Sequence, residues 1–508
     1  MNAPRIPRVL AIGLDGAEIS LMDRWAGDGT LPELAGLRQA GVHTRLRSSA
    51  EWLAGSVWPS FYTGQGPEDH GFYQFLQWRA DRMRLTRPGH SWLRPEPFWR
   101  SLNGSGLRGV ALDVPMTPPP VPFQGVEISG LATHDQLAPP SSYPRHRLAD
   151  AQRNHRVPPL PEETYGIGAP PAPAAIRDEA VSATAGVMRV AEDMIARDPW
   201  NLFLVCLGAP HRAGHLLWTP SGDTGAEPSS ALRDIYRACD EAVGRLVRAA
   251  GPETTVIVFS LHGMGPNTSR ADVLPALLDR VLGNGPAPSP APSLAAPSRP
   301  SPPAAALTAL KRIIKPCLPR AVRERITTHA RLGRRDWTEV DAFGLVADLQ
   351  GYIRINLRGR ERRGRVKPDE ADALADRIRR GLMTFTDADT GRPVALRIAR
   401  REEVFPAGAR AHDLPDLMVD WDPTPSNAHR LLISPDFGRV AWPTPGAWPD
   451  GRSGNHRPLG FCLAVGPSVR RTTPATGDIL DLAPTILALL GQPARAGMRG
   501  RVLEWAAP

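Results

Sequence analysis

Asp15, His211, His215, His262 and His456 carry side chains suited to metal binding, and each stands beside the end of a segment that reads as a strand. His211 and His215 lie four apart in APHRAGHLLW, directly after an apolar run. Histidines at i and i+4 on one helical turn project from the same face and can share a cation. The same spacing also fits an ordinary surface or capping pair. His262, in SLHGMG after TTVIVFS, and His456, in GNHRPLG, read one at a time as loop histidines satisfied by nearby groups. A shared metal site therefore depends on the fold bringing distant segments together.

The elements that would do so are visible as apolar runs. Arg8 to Leu14 (RVLAIGL) has the continuous apolar character of a central parallel strand and stops at Asp15-Gly16, where the chain must turn. Similar runs span Leu107 to Asp113, Asn201 to Leu207, Thr254 to Ser260 and Gly460 to Val465. Helical patterns separate several of them, the clearest at Asp178 to Arg197, Ser230 to Ala249 and Asp478 to Leu490. This alternation predicts an α/β fold with a doubly wound, mostly parallel sheet. Ligands collect at the carboxyl ends of such strands, where Asp15, His211 and His262 fall.

Residues 1–283 read as the first part of this α/β core. The stretch 284–306 is nearly all Pro, Ala, Ser and Gly and buries too little to order itself, so it reads as a linker. A basic helical segment (307–340) follows. An inserted α+β subdomain (341–425) comes next, with strands at Phe343 to Leu349, Tyr352 to Leu357, Pro393 to Ile398 and Leu417 to Val419 and a helix at Asp369 to Met383. The core then resumes over 426–508.

A length of 508 residues excludes a minimal binding module, and 42% hydrophobic with 22% charged residues excludes a chain disordered throughout. The net charge of +9 favours anionic ligands. No specific nucleic-acid binding is predicted; the one dense basic run, 311–335, reads either as a solvated helical face or as a weak membrane-surface or partner contact. Cys206, Cys239, Cys317 and Cys462 are far apart and show no CxxC spacing, which argues against a zinc ribbon or a disulfide framework. The run Val9 to Leu14 is too short for a signal peptide, and no stretch reaches the ~18 apolar residues of a spanning helix, so the expected location is cytoplasmic.

The segments also match one family in order. Trp58 to Gly71 (WPSFYTGQGPEDHG), within Ser56 to Tyr73, resembles the run after the nucleophile in the type I phosphodiesterase/nucleotide pyrophosphatase branch of the alkaline phosphatase superfamily. That branch has a strand ending in Asp-Gly, here Asp15-Gly16, a D-x-x-x-H, here His211 to His215, an S-D-H-G, here Ser260 to Gly263, and a late G-x-H-R-P-x-G, here Gly454 to Gly460. Segments 351–366, 414–421 and 481–491 are also similar to it, so the resemblance spans nearly the whole chain apart from the Pro-rich insert. It implies that superfamily's α/β fold and metal-dependent hydrolysis or transfer of a small phosphate ester, a phosphodiester above all. By position it implies one ion on His211, His215 and His456 and a second on Asp15 and His262.

Three departures bear on the chemistry. Position 211 is His where the pattern has Asp, which makes the first site a neutral three-histidine site that suits zinc with an open fourth position. Position 261 is Leu where the pattern has Asp, so the second ion should bind weakly or not at all. The nucleophile position falls on Ala54, with Ser56 the nearest hydroxyl. Three readings stay open: attack by Ser56, attack by water activated at the histidine site, or a non-catalytic relative that binds an anion or a partner. His70 is expected to fix its loop, Asp416 to close a turn, and Trp58, Phe61 and Trp218 to lie in the core or to wall a substrate pocket.

Overall fold

The computed structural model describes residues 7–93, 95–133, 137–161, 171–221, 225–284, 320–332, 337–448, 451–471 and 476–506. Nine strands among these residues form the main sheet: β1 Val9–Leu14, β2 Val42–Arg47, β3 Gly109–Leu112, β4 Gly125–Ser129, β5 Ser141–Tyr143, β6 Leu202–Leu207, β7 Thr255–Ser260, β8 Leu459–Val465 and β9 Thr476–Asp478. Their spatial order is β9-β2-β8-β7-β1-β6-β3-β4-β5. β1 lies between β7 and β6, parallel to both, and every one of its residues is buried. A strand covered on both faces needs apolar residues in both alternating sets, which explains the unbroken run VLAIGL. Leu10, Ile12 and Leu14 face the layer that holds helices Pro173–Arg197 and Ser230–Ala250, while Val9 and Ala11 face the layer that holds Val57–Thr63 and Leu482–Leu489.

The sheet is doubly wound and mostly parallel, with two antiparallel members that the apolar runs alone do not distinguish. One is the edge strand β5; the other is β8, which runs antiparallel between β7 and β2. Its inversion matters for the site. The amino end of β8, preceded by His456, lies at the same edge as the carboxyl ends of β1, β6 and β7.

The inserted subdomain is built on a four-stranded antiparallel sheet in the order Ala342–Leu345, Gly351–Ile355, Leu417–Trp421, Ala395–Arg400. Helices Pro368–Leu382 and Leu274–Leu282 contribute to its core. Two features differ from expectation. Leu431–Ser434 and Gly438–Ala441 pair with each other, Leu431–Ser434 also pairs with Thr386–Asp387, and Leu432, Val440 and Trp442 join the subdomain core. The subdomain thus extends about 17 residues past 425, because those apolar side chains have no other core to enter. The strand expected through Leu349 stops at Leu345, and the chain bends there.

The linker beyond Asn284 lies outside the described residues, as do 311–319 and 333–335 of the basic run. Between them, helix Arg320–Leu332 buries Glu324 and Thr328 near Arg84–Thr86, where Leu85 N–H donates to Thr328 Oγ1 at 2.9 Å. Val322 and Ile326 remain exposed. No helix among the described residues is long and apolar enough to cross a membrane.

Candidate metal centre and active site

The five residues singled out by type reach the same cleft from four strand ends. Asp15 follows β1 directly. Gly16 then turns the chain at φ 67°, and a Cβ there would lie 2.9 Å from His211 Cα, so only glycine lets the next element approach this closely. That element is the short helix Ala209–Gly214 after β6, which carries His211, with His215 at its C-terminal cap. His262 follows β7, and the short strand Gly263–Pro266 after it pairs antiparallel with Gly454–Arg457, setting Met264 opposite His456. A ladder of four residue pairs between two short strands therefore closes a separation of nearly 200 residues in sequence between His262 and His456.

The hydrogen bonds of the imidazoles fix their tautomers. His215 Nδ1 lies 3.1 Å from Gly454 O, and His262 Nδ1 lies 3.0 Å from Gly263 O. A carbonyl only accepts, so each Nδ1 carries the proton and each Nε2 of the neutral ring presents a lone pair. His211 Nδ1 faces Asp15 Oδ2 at 3.1 Å and donates in the same way. Burial, and then Arg452 nearby, pushes the His215 imidazole well below its ordinary value. Burial, followed by the neighbouring His262, pushes His456 down to about 3, so both rings are neutral at pH 7.

His211 Nε2 is consequently aimed at His215 Nε2 at 3.1 Å and at His456 Nε2 at 3.1 Å. Two imidazole nitrogens on one tetrahedral zinc sit roughly 3.3 Å apart, given Zn–N bonds of about 2.0–2.1 Å. Two lone pairs facing at that distance repel unless a cation lies between them, so the donor set fits a divalent ion. His211, His262 and His456 also present ligand atoms within 4.8 Å of one another. The two ligand sets implied by position therefore form one continuous cluster, with His211 and His456 common to both groupings.

Asp15 ties the cluster together. Its Oδ1 accepts from Trp58 Nε1 at 2.9 Å and faces His262 Nε2 at 3.4 Å, while Oδ2 takes His211. Burial alone would raise this carboxyl, but His211, donating to it through Nδ1–H, holds it well below the usual carboxylate range. Such a carboxylate–histidine contact orients a ligating ring and fixes its tautomer. Trp58, for which both a core place and a pocket wall were open, is buried, lines the cleft and supplies this donor.

Ser56 is not brought to the cleft. Its side chain is buried, with Oγ 2.7 Å from Leu53 O and 2.7 Å from Ser49 Oγ, while Ala54, Gly55, Val57 and Trp58 form the cleft wall. The turn has no room to re-register, since a Cβ on Gly55 would lie 2.5 Å from Tyr73 O. This corrects the expectation that Ser56 could point at the metals. Ser56→Ala should keep kcat/KM within about threefold of wild type in an ester-hydrolysis assay; a loss above ~10²-fold would restore Ser56 as nucleophile.

Leu261 is buried in the core, so it adds no carboxylate. The second carboxylate lining the cleft is Asp348, which composition and spacing did not single out. It stands in the bend after Ala342–Leu345, largely buried, 2.6 Å from Arg452 Nη2, and its main-chain carbonyl accepts from Asn455 Nδ2 at 3.2 Å. Burial would raise it, yet the Arg452 guanidinium beside it holds it well below the usual carboxylate range. An acid inside the apolar run FGLVADL was the available signal. His70 fixes its loop, as expected, through Ser60 Oγ at 3.1 Å and Phe72 N–H at 3.0 Å. The cleft, about 720 Å³ with its open mouth, has this charged floor and largely apolar walls.

Comparison with known proteins places this geometry. A family model described as type I phosphodiesterase / nucleotide pyrophosphatase matches residues 9–426. No curated protein matches the chain. Among solved structures, murine ectonucleotide pyrophosphatase / phosphodiesterase 5, as an inactive variant in complex with AMP, is similar at 14% identity and TM-score 0.50, over 98% of each chain. The human ectonucleotide pyrophosphatase / phosphodiesterase 5 is similar at 13% identity and TM-score 0.50, also over 98% of each. Phosphonoacetate hydrolase from Sinorhizobium meliloti, in complex with phosphonoformate, has 13% identity and TM-score 0.49 over 97% of this chain and 96% of its own. Identities this low speak to fold alone, whereas the family match runs through β1, the helix of His211 and His215, and the turn of His262. The chain belongs to the type I phosphodiesterase/nucleotide pyrophosphatase family of phosphate-ester hydrolases.

Proposed function

We propose that the protein is a zinc-dependent phosphodiesterase in which water, and no side chain of the protein, attacks phosphorus. The observation that carries the metal assignment is that His211 Nε2 faces both His215 Nε2 and His456 Nε2 at 3.1 Å, with the tautomers of His211 and His215 fixed by Asp15 and Gly454 O. The nucleophile assignment draws on the cleft wall, which among the described residues offers no hydroxyl, thiol or amine. When bound, zinc supplies Lewis acidity, neutralising phosphoryl oxygens and making water more acidic.

The chain's own residues orient this chemistry. Asp15 and Gly454 O hold the rings of His211 and His215, and Trp58 N–H holds Asp15. His262 with Asp15 offers a second, weaker cation seat of one imidazole and one carboxylate, because position 261 is Leu. The bond from phosphorus to the leaving oxygen breaks, a bond to the oxygen of water forms, and one proton of that water passes to the leaving group.

A second reading, anion binding without turnover, draws on Ala54 and Leu261. A chromogenic aryl phosphodiester assay separates the two. Turnover is expected with zinc, should fall by at least ~10²-fold after chelation and should return on zinc addition. Absence of turnover on mono- and diesters with either zinc or manganese, while phosphate still binds the zinc-loaded protein, would select the binding reading.

A further inference from the structure

The geometry points to an amphiphilic phosphodiester, one whose ester group is apolar, as the substrate of this cleft; the inference rests on the reading above and narrows its substrate. Beyond the histidines the walls are Phe72, Phe75, Pro88, Pro115, Met116 and Leu137. Phe75 is 44% exposed, a large aromatic surface left at the rim. Polar side chains on these walls are few among the described residues. Gln74 is one: its Oε1 accepts from Phe75 N–H at 2.7 Å, which leaves its Nε2 as the single side-chain amide donor on these walls without a partner among the described residues. Arg87 is the other, exposed and without an ion pair among the described residues, which suits the negative charge of a diester.

A sugar or the edge of a nucleobase brings several donors and acceptors that lose water on entering a cleft, and each costs free energy unless matched. Walls of this composition match almost none of them. An alkyl chain or an unsubstituted ring requires only apolar area, which they offer, and the flexible thioether of Met116 adapts to different shapes.

The test is a series of 4-nitrophenyl alkyl phosphodiesters, methyl to hexyl, on zinc-loaded enzyme, beside the 4-nitrophenyl ester of thymidine 5′-monophosphate. The leaving group is constant, so the series reads the retained group alone. kcat/KM should rise about two- to fourfold per methylene over the first few carbons, and the hexyl ester should exceed the thymidine ester. Phe75→Ser and Met116→Ser should each flatten that rise. A flat alkyl series, or preference for the thymidine ester over hexyl, with the methyl ester still turned over, would overturn the substrate inference and leave the hydrolytic reading standing. No turnover of any ester would overturn both.

Discussion

His215→Ala should lose its zinc and at least ~10³-fold of its diesterase activity. The expectation follows from how little freedom the ring has. Its side chain is completely buried, its Nδ1–H is committed to Gly454 O, and its Nε2 faces His211 Nε2 at 3.1 Å. Its loss leaves the proposed seat with His211 and His456, while His262, the nearest replacement, stands 3.4 Å from Asp15, and two imidazoles hold zinc more weakly than three. Elemental analysis of protein purified without chelator reads the metal directly, independently of any substrate. Removal of a buried ring also leaves a cavity, so His215→Gln, which nearly preserves volume, should be measured beside it. If both variants fold with wild-type melting behaviour and keep a full complement of zinc, His215 is not a ligand and the proposed three-histidine seat is wrong.

The strand-end positions of Asp15, His211 and His262 were legible because buried parallel strands leave an unmistakable apolar run, and the residue after such a run is placed at the site edge by topology alone. His456 was harder. Nothing local says that β8 runs antiparallel, and its amino end reaches the site only because Gly454–Arg457 pairs with Gly263–Pro266. The resemblance of motifs supplied what periodicity could not. Ser56 went wrong for a different reason: side-chain direction in the tight turn Ala54–Ser56 is set by contacts with Ser49, Leu53 and Tyr73, and residue type carries no trace of them. Asp348 was masked by its neighbours, since an apolar stretch that ends in a bend reads like one that continues as a strand. The boundary near 425 failed similarly, because Leu432 and Val440 are as apolar as any core strand and their choice of partner is a tertiary matter.

The dependence of the site on close backbone contact leads to the second large effect. A Cβ on Gly454 would stand 1.9 Å from Gly214 O and 2.3 Å from Trp218 Cδ1, distances no side chain tolerates. Gly454 is also bonded to His215 on both sides, its N–H donating to His215 O at 3.0 Å and its carbonyl accepting from His215 Nδ1 at 3.1 Å. Gly454→Ala must therefore push the strand of His456 away from the helix of His211 and His215, separating the rings that have to meet. Misplacement of reacting groups by about 1 Å can cost ~10²-fold in rate, and overpacking typically costs about 1–3 kcal/mol of stability. A loss of kcat/KM near 10²-fold is expected, with weaker zinc retention under competing chelator and a modestly lower Tm. Gly36→Ala is the control: it lies in helix Pro32–Ala40 with nothing near its Cβ direction, so it should leave activity and zinc unchanged and should not lower Tm. Should Gly454→Ala retain wild-type zinc affinity and rate, the contact between these two segments would not be what aligns the histidines, and the alignment would have to come from Asp15 and the pairing of Gly263–Pro266 with Gly454–Arg457 alone.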